Sequence, residues 1–322
     1  MKKIFVTGVC GFIASKTAEM LLKEGHSVLG VDNLNEYYDV KLKHYRLKSL
    51  CKYPRFKFVK MDVENFKAVE KLFKKFRPNS VAHLAARAGV RYSLENPFVY
   101  GMTNVMGTLN LLESCRRFKV KQFVMASTSS LYAGQKSPFK ETLAVNEPIS
   151  PYAATKKGAE ALCYSYHYLF GINVTVLRYF TVYGPAGRPD MSLFRFIKWI
   201  DEGKPLELFG DGSQTRDFTY VDDIAAGTVK ALRLKGFHTI NLGGKRPHSL
   251  KKLIRLVEGH LGKSAKIKML PFHKADLMET CADATQAEKL LKWKARVGLE
   301  EGVERTVRWY VDNRRWLRSV KV

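Results

Sequence analysis

Short runs of apolar and β-branched residues alternate with longer amphipathic segments over residues 1–180 of the chain. This alternation predicts βαβ units, in which parallel strands form one sheet and helices cover both of its faces. The runs are nearly continuous in apolar residues, as expected for strands that are buried on both sides. The predicted strands are 3–8, 27–32, 56–62, 80–86, 121–127 and 173–180, and the predicted helices are 12–24, 37–50, 65–76, 97–118 and 152–170.

A glycine-rich loop joins the first predicted strand to the first predicted helix. Gly8, Gly11 and Ala14 follow a G-x-x-G-x-x-A spacing, and small residues let backbone N–H groups approach a pyrophosphate at the positive end of a helix. Asp32 ends the second strand, where its carboxylate can accept hydrogen bonds from ribose hydroxyls and repel a 2′-phosphate. The loop therefore predicts a dinucleotide site that favours NAD over NADP. Asp62, at the end of the third strand, either reaches the adenine of the cofactor or is an ordinary turn carboxylate.

The strand pattern and the glycine loop together predict the fold class. We expect an α/β protein with a Rossmann-type, doubly wound parallel sheet and a smaller C-terminal α/β lobe that binds the substrate. After Pro185 the pattern loosens into short mixed elements, separated by loops such as 209–218. The predicted NAD-binding domain is 1–180, and 181–322 is mainly the substrate lobe, with segments after 215 returning to the first domain.

Composition excludes several classes of protein. A chain of 322 residues with 46% hydrophobic residues is typical of a folded globular protein. No apolar run approaches the roughly 20 residues that cross a bilayer, and the N-terminus enters a strand without a signal peptide, so we expect a cytoplasmic protein with no membrane partner. The five cysteines are scattered and form no CxxC pair, which argues against a disulfide framework and against a metal site.

The formal net charge of +25 is the most unusual bulk property. It could indicate a nucleic-acid partner or the attraction of small anionic substrates. The lysines are spread along the whole chain, however, and no basic run with interleaved aromatic residues is present. We therefore predict no nucleic-acid partner, and we regard electrostatic steering of an anionic substrate as a secondary benefit of the charge.

Tyr152 and Lys156 lie four residues apart in the segment 150–158, which reads SPYAATKKG. On a helix, positions i and i+4 share a face, so the ammonium of Lys156 can lie beside the side chain of Tyr152. The same spacing also occurs on solvated helix faces. Thr128 lies at the end of the fifth predicted strand, and the carboxyl ends of strands face the cofactor in this architecture.

The TGxxGFIxS loop, the Ser/Thr-rich strand end and the YxxxK pair, in this order, make the chain resemble the extended short-chain dehydrogenase/reductase family over essentially its whole length. The resemblance implies that Thr128, Tyr152 and Lys156 are catalytic, with Tyr152 as general base. An adjacent ammonium and an oxidised nicotinamide would both lower the pKa of this tyrosine. The resemblance also implies NAD contacts at Gly8, Gly11, Phe12, Ile13, Asp32, Asn33, Asp62, Val63, Ala85, Ala86, Tyr152, Lys156 and Phe180.

Longer stretches resemble one group within that family, the nucleotide-sugar 4-epimerases that act on UDP-glucuronate. These stretches are 32–43, 83–97, 152–160, 178–196 and 215–224. Arg188 would face the uronate carboxylate through its bidentate fork, and Arg216 would meet the UDP diphosphate. Otherwise Arg188 would be a surface residue and Arg216 a salt-bridged loop residue. The full set of UDP-sugar contacts implied by the resemblance is Arg91, Ser129, Ser130, Thr181, Arg188, Met191, Arg216 and Asp276.

The two residues after Thr128 distinguish the possible reactions. Sugar 4,6-dehydratases that resemble this stretch carry an Asp-Glu pair there, and UDP-glucuronate decarboxylases carry a glutamate at the second position. This chain has Ser129 and Ser130, whose hydroxyls can hold a carboxylate but are poor general acids near neutral pH. We therefore expect oxidation at C4, rotation of the 4-keto sugar and return of hydride to the other face, which converts UDP-glucuronate to UDP-galacturonate.

A uronate substrate adds a hazard, because the 4-keto intermediate is a β-keto acid that can lose carbon dioxide. We hypothesise that Arg188, with Ser129 or Ser130, holds the carboxylate away from the geometry for that loss. Other interpretations remain open: a 4-epimerase of another UDP-sugar, a decarboxylase or dehydratase with acids from elsewhere, or a non-catalytic NAD-binding or RNA-binding protein of the same fold. Retention of the three catalytic residues argues against the last of these.

Several residues depart from the family pattern. Arg87 stands where a neutral residue is usual, and Ala133 and Ala275 replace glycines, which affects the expected shape of the sugar pocket.

Helices 97–118 and 152–170 carry wide apolar stripes. Similar enzymes pair these helices across a two-fold axis, so we expect a homodimer, with a buried intramolecular face as the alternative. The first stripe includes Phe98, Met102, Val105, Met106 and Leu109.

Overall fold

A seven-stranded parallel sheet forms the centre of the computed structural model, which describes residues 1–272 and 277–322. The strands, in chain order, are β1 (Lys3–Thr7), β2 (Ser27–Asp32), β3 (Phe56–Lys60), β4 (Ser80–His83), β5 (Gln122–Thr128), β6 (Asn173–Tyr179), β7 (Thr181–Tyr183), β8 (Pro205–Phe209), β9 (Thr215–Tyr220), β10 (Phe237–Leu242), β11 (Pro247–Ser249) and β12 (Lys266–Leu270). The strand order in the central sheet is β10-β6-β5-β4-β1-β2-β3. The predicted Rossmann-type fold is confirmed.

Helices cover the sheet and build much of the second lobe. They are α1 (Phe12–Lys23), α2 (Val40–Leu50), α3 (Phe66–Phe76), α4 (Val90–Glu95), α5 (Phe98–Tyr100), α6 (Gly107–Arg117), α7 (Pro151–Phe170), α8 (Ser192–Asp201), α9 (Val221–Ala231), α10 (Leu250–Leu261), α11 (Thr285–Leu291), α12 (Leu299–Asp312) and α13 (Arg314–Leu317). A π-helical segment, Gly101–Met106, and a 3₁₀ turn, Ser129–Tyr132, complete the elements. Among the described residues, none of these helices is both long enough and apolar enough to span a bilayer.

The order of the central strands creates a crevice above β1 and β4. These two strands are neighbours, yet the chain continues from β1 toward β2 and β3 on one side and from β4 toward β5 and β6 on the other. Loops that leave the carboxyl ends of two such strands diverge, and ligands bind in the crevice between them. The predicted strands 56–62 and 80–86 end earlier, at Lys60 and His83. Asp62, Ala85 and Ala86 therefore lie in loops beside the crevice.

Side-chain caps fix where three of the helices begin. Asp39 caps α2 by accepting a hydrogen bond from the Lys41 amide, and Asn65 caps α3 in the same way. Ser150 caps α7, and Pro151 occupies the first turn, where a missing N–H costs nothing. The cap on α7 places Tyr152 within the first helical turn, next to the carboxyl end of the sheet.

The predicted helix 97–118 is present as one continuous helical segment, 98–117, whose middle part is π-helical. The chain forms α5, then a π-helical segment and then α6. Asn104, in the π-helical segment, exchanges hydrogen bonds with the backbone of Arg87 and donates to Thr155. Wider helical turns of this kind occur frequently at functional sites. This segment joins the loop after β4 to α7.

The smaller lobe contains two short sheets, β11-β9-β7 and β12-β8. The predicted loop 209–218 is wrong in part, because residues 215–218 belong to β9. Thr215 pairs with Ser249 on one side, and Phe218 pairs with Thr181 on the other. A strand that is held by partners so distant in sequence leaves little local signal.

Two apolar cores lie on either side of the boundary between the lobes. The core beneath the central sheet includes Leu21 from α1 together with Ile224 from α9 and Trp293. The core of the smaller lobe contains Phe194 and also Leu42 from α2. The chain therefore crosses between the two cores more than once, and the proposed division at residue 180 remains a prediction.

Candidate active site

A cavity of about 730 Å³ lies at the carboxyl ends of the central strands, between the sheet and the smaller lobe. The predicted catalytic residues Thr128, Tyr152 and Lys156 line it, as do all the predicted cofactor residues. Asp276 lies outside the described residues. The remaining predicted substrate residues also line the cavity: Arg91, Ser129, Ser130, Thr181, Arg188, Met191 and Arg216.

The glycine loop leaves no space for side chains at its two glycines. Gly8 has a φ of +66°, and a Cβ there would lie 2.7 Å from the Ala85 Cα. A Cβ on Gly11 would lie 2.8 Å from the Gly8 carbonyl oxygen. The loop thus packs backbone against backbone and leads directly into α1, which begins at Phe12. This geometry fits the close approach of a dinucleotide pyrophosphate to backbone N–H groups.

Polar side chains at the ends of β2 and β3 hold one another in place. Asp32 accepts hydrogen bonds from the amides of Cys10, at 3.1 Å, and Leu34, at 2.8 Å. Asn33 donates to the Asp62 carboxylate at 2.7 Å. The Asp32 carboxylate is therefore fixed at the cavity wall, where it can accept hydrogen bonds from ribose hydroxyls. Together with the glycine loop, these side chains fit a bound NAD.

Lys43 and Arg87 are two of the three cations in the cavity that were not among the predicted site residues, and the third is Arg195. Lys43, from α2, is buried and donates to the Asn35 carbonyl at 2.6 Å. Burial lowers its pKa, while the nearby charge of Asp32 acts in the opposite direction. The Nε of Arg87 is buried and has no hydrogen-bond partner among the described residues. For Arg87, the sequence indicated a place near the site only through its departure from the family pattern. For Lys43, the sequence gave no such indication.

The three predicted catalytic side chains line the same cavity. Thr128 accepts a hydrogen bond from the Ser130 amide at 3.1 Å, donates to the Ser130 hydroxyl at 3.1 Å and lies beside Tyr152. Lys156, nearly fully buried, donates to the Ala126 carbonyl at 2.8 Å. A hydroxyl, a phenol and an ammonium are thus held together by β5 and by α7.

Burial has the largest effect on the pKa values of Tyr152 and Lys156. It raises the pKa of Tyr152, although the hydrogen bond with Thr128 and the charge of Arg188 act to lower it. The expected lowering of the Tyr152 pKa depends on a bound, oxidised nicotinamide beside the phenol and stays a prediction. Burial also lowers the pKa of Lys156 to about 8, against the opposing charge of Glu160. The ammonium of Lys156 is directed at a backbone carbonyl, which sequence spacing does not reveal.

A buried ion pair supports α7 one turn beyond Lys156. Arg178 and Glu160 form a salt bridge of 2.7 Å with both side chains almost completely buried. Ser127 donates to Glu160 at 2.6 Å, and Arg178 donates to the Tyr132 hydroxyl at 2.8 Å. These contacts fix α7 against β5 and β6, because each strand contributes one of the partners. None of them was predicted from the sequence.

Arg188 lies in the cavity wall with its side chain 20% exposed, so it is not a surface residue. Its Nε and Nη2 atoms donate to Asp190 at 3.1 and 2.5 Å. Its guanidinium also lies 5.6 Å from the ring of Tyr37. Burial acts to raise the pKa of Asp190, but the charge and hydrogen bonds of Arg188 outweigh it and hold that pKa below its usual value.

Arg91 and Arg216 both line the cavity. The guanidinium of Arg91 is 3.8 Å from the centroid of the Phe209 ring, a stacking arrangement typical of arginine on an aromatic face. Arg216 donates to the Thr215 carbonyl at 2.8 Å. Phe209 is the last residue of β8, so the predicted loop 209–218 is wrong at this residue as well. Other lining residues that the sequence did not predict are Tyr37, Tyr38, Asp190, Arg195 and Trp199.

Positive charge exceeds negative charge in the cavity wall. Seven lining residues are cations, namely Lys43, Arg87, Arg91, Lys156, Arg188, Arg195 and Arg216, and five are acids, namely Asp32, Asp62, Glu95, Asp190 and Glu207. In the part of the chain that the structure describes, no cluster of His, Cys, Asp and Glu side chains could hold a metal ion. The site is thus suited to a large anionic ligand and to proton transfer by its own side chains.

Comparisons with known proteins agree on one family. A family model described as GDP-mannose 4,6 dehydratase matches residues 5–306. A UDP-glucuronate 4-epimerase of Thermodesulfobacterium geofontis is 57% identical over 318 residues, which are 98% of this chain and 98% of that protein.

Solved structures of two sugar-nucleotide epimerases have the same fold. The crystal structure of the UDP-glucuronic acid 4-epimerase of Bacillus cereus in complex with UDP-glucuronic acid and NAD matches with a TM-score of 0.92 and 40% identity, covering 97% of this chain and 99% of that one. The UDP-glucose 4-epimerase of Thermotoga maritima with UDP-glucose matches with a TM-score of 0.89 and 31% identity, covering 97% and 99%.

Proposed function

The chain belongs to the GDP-mannose 4,6 dehydratase family of extended short-chain dehydrogenases/reductases, and from this membership we propose that it is an NAD-dependent UDP-glucuronate 4-epimerase. One observation carries the proposal: Thr128, Tyr152 and Lys156 meet in a cavity where Ser129 and Ser130 replace the acids of dehydratases and decarboxylases. The similarity to UDP-glucuronate 4-epimerases supports the same substrate.

The cofactor site that we propose uses the glycine loop and the ends of β2 and β3. The backbone at Gly8 and Gly11 would hold the pyrophosphate, and Asp32 would accept hydrogen bonds from the adenosine ribose. Lys156 would hold the nicotinamide ribose. Bound NAD would supply a hydride acceptor and donor and, in its oxidised form, a positive charge that favours a phenolate.

Tyr152 would move the proton of the sugar 4-hydroxyl. It accepts that proton when the sugar is oxidised at C4 and returns it when the ketone is reduced. Thr128, which lies beside Tyr152, would hold the same sugar oxygen. Because burial keeps the phenol protonated in the protein alone, base strength develops only when the hydrogen bond with Thr128 and nearby positive charge outweigh that burial.

Arg188, Ser129 and Ser130 would hold the uronate carboxylate. Asp190 already occupies the Nε and Nη2 atoms of Arg188, so the substrate would bind through Nη1 or displace Asp190. Holding the carboxylate in one orientation keeps its C–C bond from aligning with the C4 ketone. This orientation would favour epimerisation over loss of carbon dioxide.

We further propose a cytoplasmic homodimer. The five cysteines are free thiols, which suits a reducing compartment. Phe98 is 83% exposed, and Met102 and Met106 are exposed on the same segment. Tyr168 and Leu169 are exposed at the end of α7. Apolar side chains in this number on adjacent helices are typical of a surface that pairs with a second subunit.

Incubation of the purified protein with UDP-glucuronate tests the activity. We expect a product of unchanged mass and new retention time, identified as UDP-galacturonate against a standard. Tyr152→Phe removes the hydroxyl and retains the ring, so we expect kcat to fall by about 10²–10⁴-fold, as when a general base is lost. NAD binding, followed by fluorescence titration, should persist in this variant.

The outcomes separate the alternatives. A mass loss equal to carbon dioxide would identify a decarboxylase, and turnover of UDP-glucose in preference to UDP-glucuronate would identify an epimerase of neutral sugars. Arg188→Ala tests the carboxylate contact and should either abolish epimerisation or release a UDP-pentose. Unchanged products and rates in that variant would refute the role of Arg188.

A further inference from the structure

Arg46 is a buried cation that contacts two loops bordering the cavity. It lies in α2 and is only 3% exposed. Its Nη1 donates to the Cys10 carbonyl at 3.0 Å and to the Tyr38 hydroxyl at 2.7 Å. Its Nε and Nη2 donate to the Ala186 carbonyl at 3.0 and 2.8 Å, and Nη2 also donates to the Gly187 carbonyl at 3.0 Å.

These hydrogen bonds join two loops that are far apart in sequence. Cys10 belongs to the glycine loop, between Gly8 and Gly11. Ala186 and Gly187 directly precede Arg188, the proposed ligand of the substrate carboxylate. Arg46 therefore sets the distance between the proposed cofactor loop and the backbone that carries Arg188.

The arrangement restrains a backbone that would otherwise be free to relax. Ala186 has a φ of +55°, a conformation that is unfavourable for a residue with a Cβ. Two of the hydrogen bonds from Arg46 end on its carbonyl, which holds that conformation in place. The guanidinium is itself fixed between the rings of Phe12, at 5.9 Å, and Tyr38, at 5.6 Å.

The partners of Arg46 also distinguish it from an ordinary buried ion pair. Its acceptors are backbone carbonyls and a phenol hydroxyl. A buried cation that is held by neutral groups has a large desolvation penalty, and only arginine presents enough donors in a rigid fork to reach three carbonyls together. A lysine in this place would keep the charge but lose the fork.

We infer that Arg46 is a positioning residue that holds the loop of Arg188 against the glycine loop, so that the substrate carboxylate is bound in one orientation relative to C4. This inference rests on the proposed UDP-glucuronate epimerase function. Without Arg46 the loop relaxes, and the C5–C6 bond of the 4-keto sugar can align with the ketone. That bond then breaks, its electron pair forms the C4 enolate, carbon dioxide leaves and C5 takes a proton from water. Return to C4 of the hydride taken in the first step, with a proton from Tyr152, would then give a UDP-pentose.

Arg46→Lys is the variant that tests the inference, with UDP-glucuronate as substrate. We expect KM to rise about tenfold or more, as when charge-assisted hydrogen bonds are lost. We also expect a UDP-pentose to appear beside UDP-galacturonate, quantified by mass and retention time. The ratio of UDP-pentose to UDP-galacturonate is decisive. A purely structural defect reduces the amount of active enzyme and leaves this ratio unchanged.

Lys198→Met is the matched control. Lys198 is also a buried cation, 4% exposed. It donates to the backbone carbonyls of Leu317 and Arg318 at 3.0 Å and, unlike Arg46, also forms an ion pair of 2.6 Å with Glu202. It does not line the cavity. The control should lose thermal stability like the Arg46 variant, with an unchanged KM and no UDP-pentose.

The possible results are distinct. If wild-type protein does not epimerise UDP-glucuronate, the proposed function fails, whatever the variants do. If wild type epimerises cleanly and Arg46→Lys keeps its KM and forms no pentose, only the positioning role is refuted. Should Arg46→Lys fail to fold, Tyr38→Phe removes one partner of the guanidinium, and an unchanged product ratio in that variant would refute the role instead.

Discussion

Lys156 shows how strongly a single buried side chain depends on its surroundings. Its ammonium donates to the Ala126 carbonyl, and burial lowers its pKa from 10.5 to about 8. The four-residue spacing from Tyr152 indicated that the two side chains share a helix face. It could not show the backbone acceptor or the buried Glu160 one turn beyond, because both contacts depend on how α7 packs against β5.

This protonation makes the stability of the protein depend on pH. Between pH 8 and pH 10.5 the unfolded chain keeps a proton on Lys156 that the folded chain releases. The free energy of unfolding should therefore rise with pH in this window, by up to about 1.4 kcal/mol per pH unit from this group. Lys156→Met lacks the titrating group, so its stability should not show this contribution.

Urea unfolding of both proteins at several pH values between 7.5 and 10 measures the effect. The difference between the two free energies removes contributions from groups that both proteins share. Wild type should gain stability relative to Lys156→Met as the pH rises. Parallel curves across the window would mean that Lys156 titrates at its ordinary pKa.

At the scale of elements, the spacing of the glycines between β1 and α1 predicted a tight loop, and the structure shows one. Gly8 adopts a positive φ, and its missing Cβ leaves space that the Ala85 backbone occupies. Gly8→Ala should therefore destabilise the fold by about 1–3 kcal/mol, through strain and displacement of the loop after β4. NAD affinity should fall as well, which fluorescence titration would measure.

Gly259→Ala is the control for this substitution. Gly259 lies on the exposed side of α10, and a Cβ there would meet no atom within 4 Å. An alanine should stabilise this helix by about 0.5–1 kcal/mol and leave NAD affinity unchanged. Equal thermal shifts for the two variants would show that the conformation of Gly8 has no special role.

Strands and helices could be predicted where the residues of the element itself carry the pattern. The alternation of apolar runs predicted the six strands that enter the central sheet before residue 180, because burial on both faces selects such runs. The strand at 215–220 was not predicted, because its partners lie at 181–183 and 247–249. Lys43 and Arg46 gave no signal, since α2 has the polar composition of a solvated helix, yet both are buried.

At the scale of the whole molecule, α7 joins the proposed chemistry to a proposed subunit interface. Its first turn carries Tyr152, whereas its last turns carry the exposed Tyr168 and Leu169. Phe98 and Met102, on the neighbouring segment, are 83% and 47% exposed. A second subunit that covers these side chains would also hold α7 in place against the sheet.

The double variant Phe98→Glu/Met102→Glu tests this arrangement. Four carboxylates would enter a two-fold interface, two from each subunit, where burying an unpaired charge is costly. We expect light scattering with size-exclusion chromatography to give the mass of a monomer, near 36.7 kDa, for the variant and twice that mass for wild type. The melting temperature should fall, because dimerisation stabilises the folded state.

Ile267→Glu/Met269→Glu is the matched control, since these two apolar residues on β12 are 48% and 68% exposed and lie in the smaller lobe. This variant should remain a dimer. The net charge of +25 on each chain opposes association at low ionic strength, so both proteins should be compared at about 0.15 M salt, where the screening length is near 8 Å. A monomeric wild type under these conditions would refute the dimer, and dissociation of the control would place the interface on the smaller lobe instead of α7.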